Sequence, residues 1–464
     1  MLTTLLRDSR ALAGLAVPLV LTQLAQVALT TTDTVMMGLL GTQELAAGGL
    51  AIVIFNQLRT MGVGLVTSVG NQIAAAAARA ESSGTGHDEE GREEIRAIVR
   101  ASLAVATLAG IAGAILMILI GQGLTWLGQD AAVVARTQPM LIALAPGLLP
   151  CLWFQAIRQF TVGMRRPQAL LQITIASVAA NAGLNWVLIH GSFGLPRLGL
   201  TGIGIATSTV YLLSFLALYL FAKKDSELAP LLTLNIAKAD PATVKRLVGL
   251  GIPIAATYGS EAGFFSITAL MAGSFGPDAL AAHTAVNQLV YIVFQVAVGL
   301  SHAASINVSR ALALGHHDNA RRLKNTALAC AAAVMTLVGI IYLALPRLVL
   351  APFLDSGSDQ ALTIATQLLF VAAFLQFFDC AQNIGVGLLR GLDDTKSGFR
   401  ITLIGYWAVG LPAAWLLAYA LDLEAVGIWL GLLTGLATTA ILLLRRYSAS
   451  LTARAGDRTS VAAA

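Results

Sequence analysis

Leu12–Ala13–Gly14–Leu15–Ala16–Val17–Pro18 returns as Leu247–Val248–Gly249–Leu250–Gly251–Ile252–Pro253, 235 residues further along the chain. The same offset, without a gap, pairs Gly38 with Gly273, Gly41 with Gly276 and Leu45–Ala46–Ala47 with Leu280–Ala281–Ala282. It holds through Val63–Gly64–Leu65 and Val298–Gly299–Leu300. Chance similarity between Ala-, Gly- and Leu-rich helices does not extend ungapped through two apolar segments and the turn between them, so the chain carries an internal repeat. Further on the offset falls to 225, pairing Arg165 with Arg390 and Gly202–Ile203 with Gly427–Ile428. A shorter connection in the second copy accounts for the change.

The repeated unit is a set of bilayer-spanning helices. Of 464 residues, 57% are hydrophobic and 11% charged, against about 25% charged in a soluble domain. Apolar runs bounded by charge or turn residues predict twelve helices, near 11–37, 45–73, 97–120, 131–155, 168–190, 200–222, 245–272, 280–309, 323–345, 361–389, 398–420 and 424–444. Each can supply the ~20 residues a span requires, and no soluble domain fits in what remains. The sequence therefore predicts an all-α polytopic membrane protein with 12 transmembrane helices in two six-helix repeats. An even number of helices per copy gives both the same topology, related by a pseudo-twofold axis along the membrane normal, with a central cavity and access alternating by rocking. The expected boundaries are a first bundle over 1–222, a cytoplasmic linker over 223–244 and a second bundle with a short tail over 245–464. The run after Arg7 and Arg10 is too long for a signal-peptide core and reads as a retained first helix.

Charge placement sets the expected orientation. With a cytoplasmic N-terminus, 25 of the 29 Lys and Arg fall at cytoplasmic ends and loops, and only Arg136, Arg197 and Arg347 lie outside. That asymmetry predicts both termini inside. It also assigns the net charge of +5 to loops facing the cytoplasm rather than to nucleic-acid binding. Cys151, Cys330 and Cys380 lie in or beside apolar runs with no CxxC spacing, so no disulfide framework or zinc site follows. HExxH, Walker A and GxSxG patterns are absent, and Gly202-x-Gly204 lacks the rest of a nucleotide fingerprint. The acidic run Glu81–Glu94 and His316–His317 read as solvated loops, His283 as a capping or packing residue, and Gly427-x3-Gly431-x3-Gly435 as a helix-packing stripe.

Asp33, Glu261 and Asp379 each sit inside a long apolar run, where a charge costs roughly 2.5–3.5 kcal/mol on insertion scales and faces a partner or a cavity. Glu261 and Asp379 fall at similar depth in the second copy, and Asp33 lies shallower in the first. In the repeat register Gln26 is the counterpart of Glu261, Phe154 of Asp379 and Thr268 of Asp33. The scaffold is duplicated and its acids are not. Paired carboxylates can carry a proton reversibly, or with neutral oxygens from Thr284 or Ser260 can hold a hard cation such as sodium. Arg59 stands mid-helix beside Asn56 and Gln57, opposite Phe294 in the second copy; it either pairs with Asp33 or a cavity water, or snorkels to the interface.

With these residues placed, the chain resembles the multidrug and toxic compound extrusion (MATE) family, most closely its NorM branch. The resemblance spans nearly the whole chain. It rests on Pro18 and Asp33–Thr34, Ser260–Glu261, Ala281–Ala282–His283, Asp379 with Gly387–Leu388–Leu389–Arg390–Gly391, and Tyr406–Trp407 with Gly410–Leu411–Pro412. It implies export of varied drugs, dyes and organic cations across a bacterial inner membrane, driven by inward Na+ or H+, by a monomer among membrane lipids with no enzyme cofactor. It implies that Glu261 and Asp379 hold the coupling cation, Na+ included. The resemblance further implies that Asp33 serves proton or substrate binding and that Phe265 lines the cation site. Thr284 and Phe294 stand where sodium-coupled relatives carry glutamine and tyrosine, which weakens the case for sodium. Asp355 and Asp359 resemble a region of substrate acids. Other readings are a lipid-linked oligosaccharide flippase of related fold, which should need a basic cavity for its diphosphate, a membrane enzyme, which should need a catalytic cluster near an interface, and a passive channel.

Overall fold

The computed structural model describes residues 1–84, 89–354 and 359–462, and they are almost wholly helical. The helices are α1 (Leu2–Leu40), α2 (Thr42–Thr67), α3 (Val69–Ser82), α4 (Glu89–Gly123), α5 (Ala131–Gly163), α6 (Gln168–His190) and α7 (Leu200–Lys224). The second half follows with α8 (Pro241–Gly273), α9 (Pro277–Ala313), α10 (His317–Ala344), the short α11 (Pro346–Leu350) and α12 (Asp359–Gly391). It closes with α13 (Thr395–Leu403), α14 (Leu411–Trp415) and α15 (Glu424–Ala462). Two π-helical stretches, Ile404–Gly410 and Leu416–Ala420, flank α14 and make one continuous rod from α13 onward.

Eleven helical rods among the described residues are long and apolar enough to cross a membrane, with α2–α3 and α13–α14 each counting as one. The twelfth rod is α8, 33 residues long, whose apolar character is diluted by Tyr258, Ser260 and Glu261. Hydrocarbon leaves a backbone no partner but itself, which is why the described apolar segments are helical. Pro18 and Pro253 lie inside α1 and α8 at the matching repeat position.

Packing divides the chain into two compact units, Leu21–Ala256 and Met1–Val20 with Thr257–Ala464. Within the second, Val20 lies against Gly299 so closely that a Cβ there would meet its backbone N at 2.9 Å. Within the first, a Cβ on Gly251 would meet the Leu65 carbonyl at 2.3 Å.

The repeat is visible in backbone detail. Gly41 and Gly276, 235 apart, precede α2 and α9 with φ of 131° and 107°, a conformation only glycine adopts readily. The register of the later helices corrects one expectation. Arg165 (φ 60°) and Asp393 (φ 61°) are the left-handed residues closing α5 and α12, and each turn is fastened alike. Arg165 N donates to Val162 O and Arg166 N to Thr161 O, as Asp393 N does to Arg390 O and Asp394 N to Leu389 O. Gly163 nestles on Gly70 and Ile73, and Gly391 on Ser305 and Val308, residues 235 apart. The α5/α12 offset is therefore 228, and Arg165 matches Asp393 rather than Arg390. The counterpart of Asp379 becomes Cys151, not Phe154. Further on, Gly199 and Glu424 open α7 and α15 with φ of 55° and 51°, so the offset of 225 holds there.

Ion pairs with reversed polarity follow the two matching turns. Arg166 Nη1 lies 2.7 Å from Asp225 Oδ2 in the first unit, and Arg446 Nε lies 3.0 Å from Asp394 Oδ2 in the second. Burial opposes charge on Asp225, but the Glu227 amide, the Arg166 guanidinium and the Leu228 amide outweigh it and hold the carboxyl below its ordinary range. Its contribution is thus in place at neutral pH and is lost only as pH falls through that lowered value. The acidic stretch near Glu89 is more than solvated: Arg96 Nη1 reaches Glu89 at 2.5 Å, Arg79 Nη2 reaches Glu94 at 2.6 Å, and Arg100 pairs with Glu93.

The glycine stripe of α15 packs as the sequence predicts. A Cβ on Gly431 would stand 2.3 Å from the Ala414 backbone, so bare backbone on α15 is what lets α14 approach. Gly431→Val is expected to lower the thermal midpoint of the purified protein by several degrees, an overpacking cost of about 1–3 kcal/mol. Gly249→Ala, where nothing lies within 4 Å, is expected to leave it unchanged.

Candidate functional site

In the unit containing Thr257–Ala464, α8 supplies Ser260 and Glu261 and α12 supplies Asp379. Asp379 is buried and Glu261 half-buried, and the two carboxylates lie within electrostatic reach of each other. The buried Tyr406 hydroxyl is within reach of both and donates to Glu261 Oε1 at 3.1 Å. Beside it, Trp407 Nε1 donates to Ser260 Oγ at 2.7 Å. Asn383 Nδ2 stands 3.4 Å from Asp379 Oδ1 and donates to that residue's carbonyl at 3.0 Å and to Gln382 Oε1 at 3.1 Å. Among the described residues no three His, Cys, Asp or Glu side chains converge, so neutral oxygens must complete any cation shell here.

Aromatic rings back this pair. Phe264 stacks on Tyr406 at 4.9 Å, and Phe265 meets Phe264 edge-on at 5.7 Å. Phe294 stacks on Tyr291 at 6.4 Å. Thr284 is exposed and gives its hydroxyl to the Leu280 carbonyl one turn back, bonding neither acid. His283 is a packing residue: Trp429 Nε1 donates to its Nδ1 at 3.0 Å, which places the ring proton on Nε2.

In the unit Leu21–Ala256, Asp33 is 3% exposed. Its Oδ1 accepts from Asn181 Nδ2 at 2.7 Å and Asn185 Nδ2 at 2.9 Å, and its Oδ2 from Thr207 Oγ1 at 3.1 Å. The Oδ1 atoms of Asn181 and Asn185 are buried with no hydrogen-bond partner. A carboxylate, a hydroxyl and two orphan carboxamide oxygens form a donor set suited to a proton or a hard cation. Arg59 does not hold Asp33, as the sequence allowed; the three neutral donors do. Its Nε reaches Asn56 Oδ1 at 3.4 Å, and its guanidinium lies beside the Cys151 thiol, which also meets Tyr211. Gln26 is half-buried. Asp359 is exposed in the first turn of α12, away from both acid sites in burial and bonding, and Asp355 lies outside the described residues.

Tyr406, Trp407, Asn383, Asn181, Asn185 and Thr207 escaped the sequence reading as site residues. Two carried a signal: Asn181 and Asn185 are carboxamides four apart in an apolar helix, hence on one face.

A family model described as MatE matches this chain twice, over residues 18–187 and 253–416. The chain belongs to the MatE family. The matches begin at Pro18 and Pro253, the same 235-residue offset that opens the repeat. Among curated relatives, a probable multidrug resistance protein NorM of Pseudomonas aeruginosa is 35% identical over 438 residues, covering 94% of this chain and 88% of that protein. A protein of the same description from Bradyrhizobium diazoefficiens is 36% identical, covering 93% and 91%. Among solved structures, the eukaryotic MATE transporter AtDTX14 superimposes with a TM-score of 0.80 at 22% identity, covering 97% of this chain and 99% of that one. An outward-facing multidrug resistance MATE family transporter of the MOP superfamily gives 0.84 at 17% identity, covering 97% and 98%. These likenesses confirm the MATE fold, with its two repeats of membrane helices.

The Asp33 cluster makes its own prediction. Asp33→Ala and Asn181→Ala are each expected to destabilise the protein, and the double variant to lose less than their sum. Thermal-unfolding double-mutant cycles should return a coupling of about 1.5–3 kcal/mol, the range for a hydrogen bond to a charged group.

Proposed function

We propose that this MatE-family protein is a secondary active multidrug exporter, not an enzyme, which moves organic cations and other drugs outward in exchange for Na+ or H+. The observation that carries the reading is the placement of Glu261 and Asp379 within mutual reach on apolar helices, with one donor on Glu261. Like charges that interact repel, and the repulsion grows as water is excluded. A proton or a sodium ion relieves it, and the relief differs between conformations that enclose the pair differently. Only such differential affinity lets ion binding bias an inward–outward equilibrium.

Asp33 serves as the second acid, taking a proton or cation on the carboxylate or attracting a cationic drug. The NorM relatives, named as probable multidrug resistance proteins, support drugs and dyes as cargo. The setting is a bacterial inner membrane with both termini cytoplasmic, as the Lys and Arg distribution favours, and the working unit is a monomer. A diphosphate-bearing flippase cargo is disfavoured, because the groups deepest in the apolar runs of the second copy are the acids Glu261 and Asp379, not a set of cations.

Purified protein in liposomes, loaded with a fluorescent cationic dye under separately imposed sodium and pH gradients, tests this. Dye movement driven by one gradient is expected, abolished in Glu261→Ala and Asp379→Ala, and reduced at least tenfold in Asp33→Ala. Full transport by both Glu261→Ala and Asp379→Ala contradicts the assignment.

A further inference from the structure

The rod that runs from α13 through α14 has unusual geometry beside Glu261. Gly405 and Gly410 both face α15: a Cβ on Gly405 would lie 3.2 Å from Gly435 O, and one on Gly410 3.1 Å from Gly435 Cα. In an α-helix, residues five apart diverge by about 140° around the axis. The i→i+5 bonding of a π-helix returns them to one face, and Ile404–Gly410 is π-helical. Glycines on the α15 side thus fix the widened turn. On its opposite flank the turn commits two adjacent side chains to two adjacent residues of α8, Tyr406 to Glu261 and Trp407 to Ser260.

We propose that this π-helical stretch is a wall of the coupling-ion site, and that Tyr406 is a positioning residue that orients the Glu261 carboxylate for the coupling ion. The inference rests on the reading that Glu261 and Asp379 take the coupling ion. Tyr406 is fully buried and its ring is clamped on Phe264 at 4.9 Å and 10°, so its hydroxyl has little freedom to leave Glu261 Oε1. It occupies that oxygen with a donor, while Oε2 has no hydrogen-bond partner among the described residues and remains for the ion. The other titratable groups of this core are Asp379 and Cys380 on α12, Tyr342 on α10, and His283 on α9, whose Nδ1 is taken by Trp429 of α15. None of these gives Glu261 a hydrogen bond.

The test compares wild type, Tyr406→Phe, Trp407→Phe and Glu261→Ala in dye-transport liposomes, after thermal unfolding has shown that each is folded. Tyr406→Phe is expected to change the half-saturating concentration of the coupling ion, sodium or proton, about tenfold, as loss of a hydrogen bond to a carboxylate implies. The KM for dye should stay within twofold, which a general loosening of the fold would not spare. Unchanged ion dependence in Tyr406→Phe, with Glu261→Ala inactive, overturns the inference and leaves the coupling assignment standing. Full activity in Glu261→Ala instead removes the reading beneath it. Tryptophan emission gives a second measurement that needs no Tyr406 variant: titration with sodium or protons should change it in wild type and not in Trp407→Phe. An equal change in Trp407→Phe contradicts placement of the wall at the ion site.

Discussion

A carboxylate inside a bilayer-spanning bundle must be met by donors or by an ion, because hydrocarbon offers it nothing. The two units meet that constraint in opposite ways. Asp33 accepts three hydrogen bonds from neutral donors, two carboxamides and a hydroxyl, and the oxygens of those two carboxamides lack partners. Among the described residues Glu261 and Asp379 are sparsely provided for: one phenol for the first, and one long contact from Asn383 for the second. An acid pair so sparsely provided for leaves an ion to supply what the protein withholds, as the proposed exchange requires.

The duplicated scaffold makes the difference legible residue by residue. In the structural register, Gln26 stands for Glu261, Cys151 for Asp379 and Arg59 for Phe294. The first copy thus has neither acid at the matching positions and places a guanidinium beside the thiol. Its buried acid is Asp33, whose counterpart Thr268 spends its hydroxyl on the Phe265 carbonyl. Thr207, which serves Asp33, has the apolar Leu432 as its counterpart. One fold, repeated, holds two acid sites of different construction.

Much of this was readable in the sequence. Hydropathy located the spans because bilayer thickness fixes their length, and the Pro18/Pro253 register survived because glycine turns and prolines have few substitutes. The α5/α12 register was misread by three residues because matching arginines were a louder signal than the turn geometry, which is shared by Arg165 and the chemically unlike Asp393. Glu261, Asp379 and Asp33 stood out by their cost. Tyr406 and Trp407 were visible as a motif but not as site residues, because ordinary helical periodicity does not anticipate a π-helical turn. The Arg59–Asp33 pairing was one option from charge alone; the carboxamides that displaced it lie some 150 residues along the chain, where no local pattern connects them to Asp33.

The most direct measurement is ion release from the purified protein on drug binding, followed with a sodium- or proton-sensitive dye in weakly buffered detergent solution. Exchange at the Glu261–Asp379 pair predicts that a cationic drug displaces Na+ or H+ from the wild type, and that Glu261→Gln with Asp379→Asn releases none. Drug binding that displaces no ion from the wild type would contradict the account.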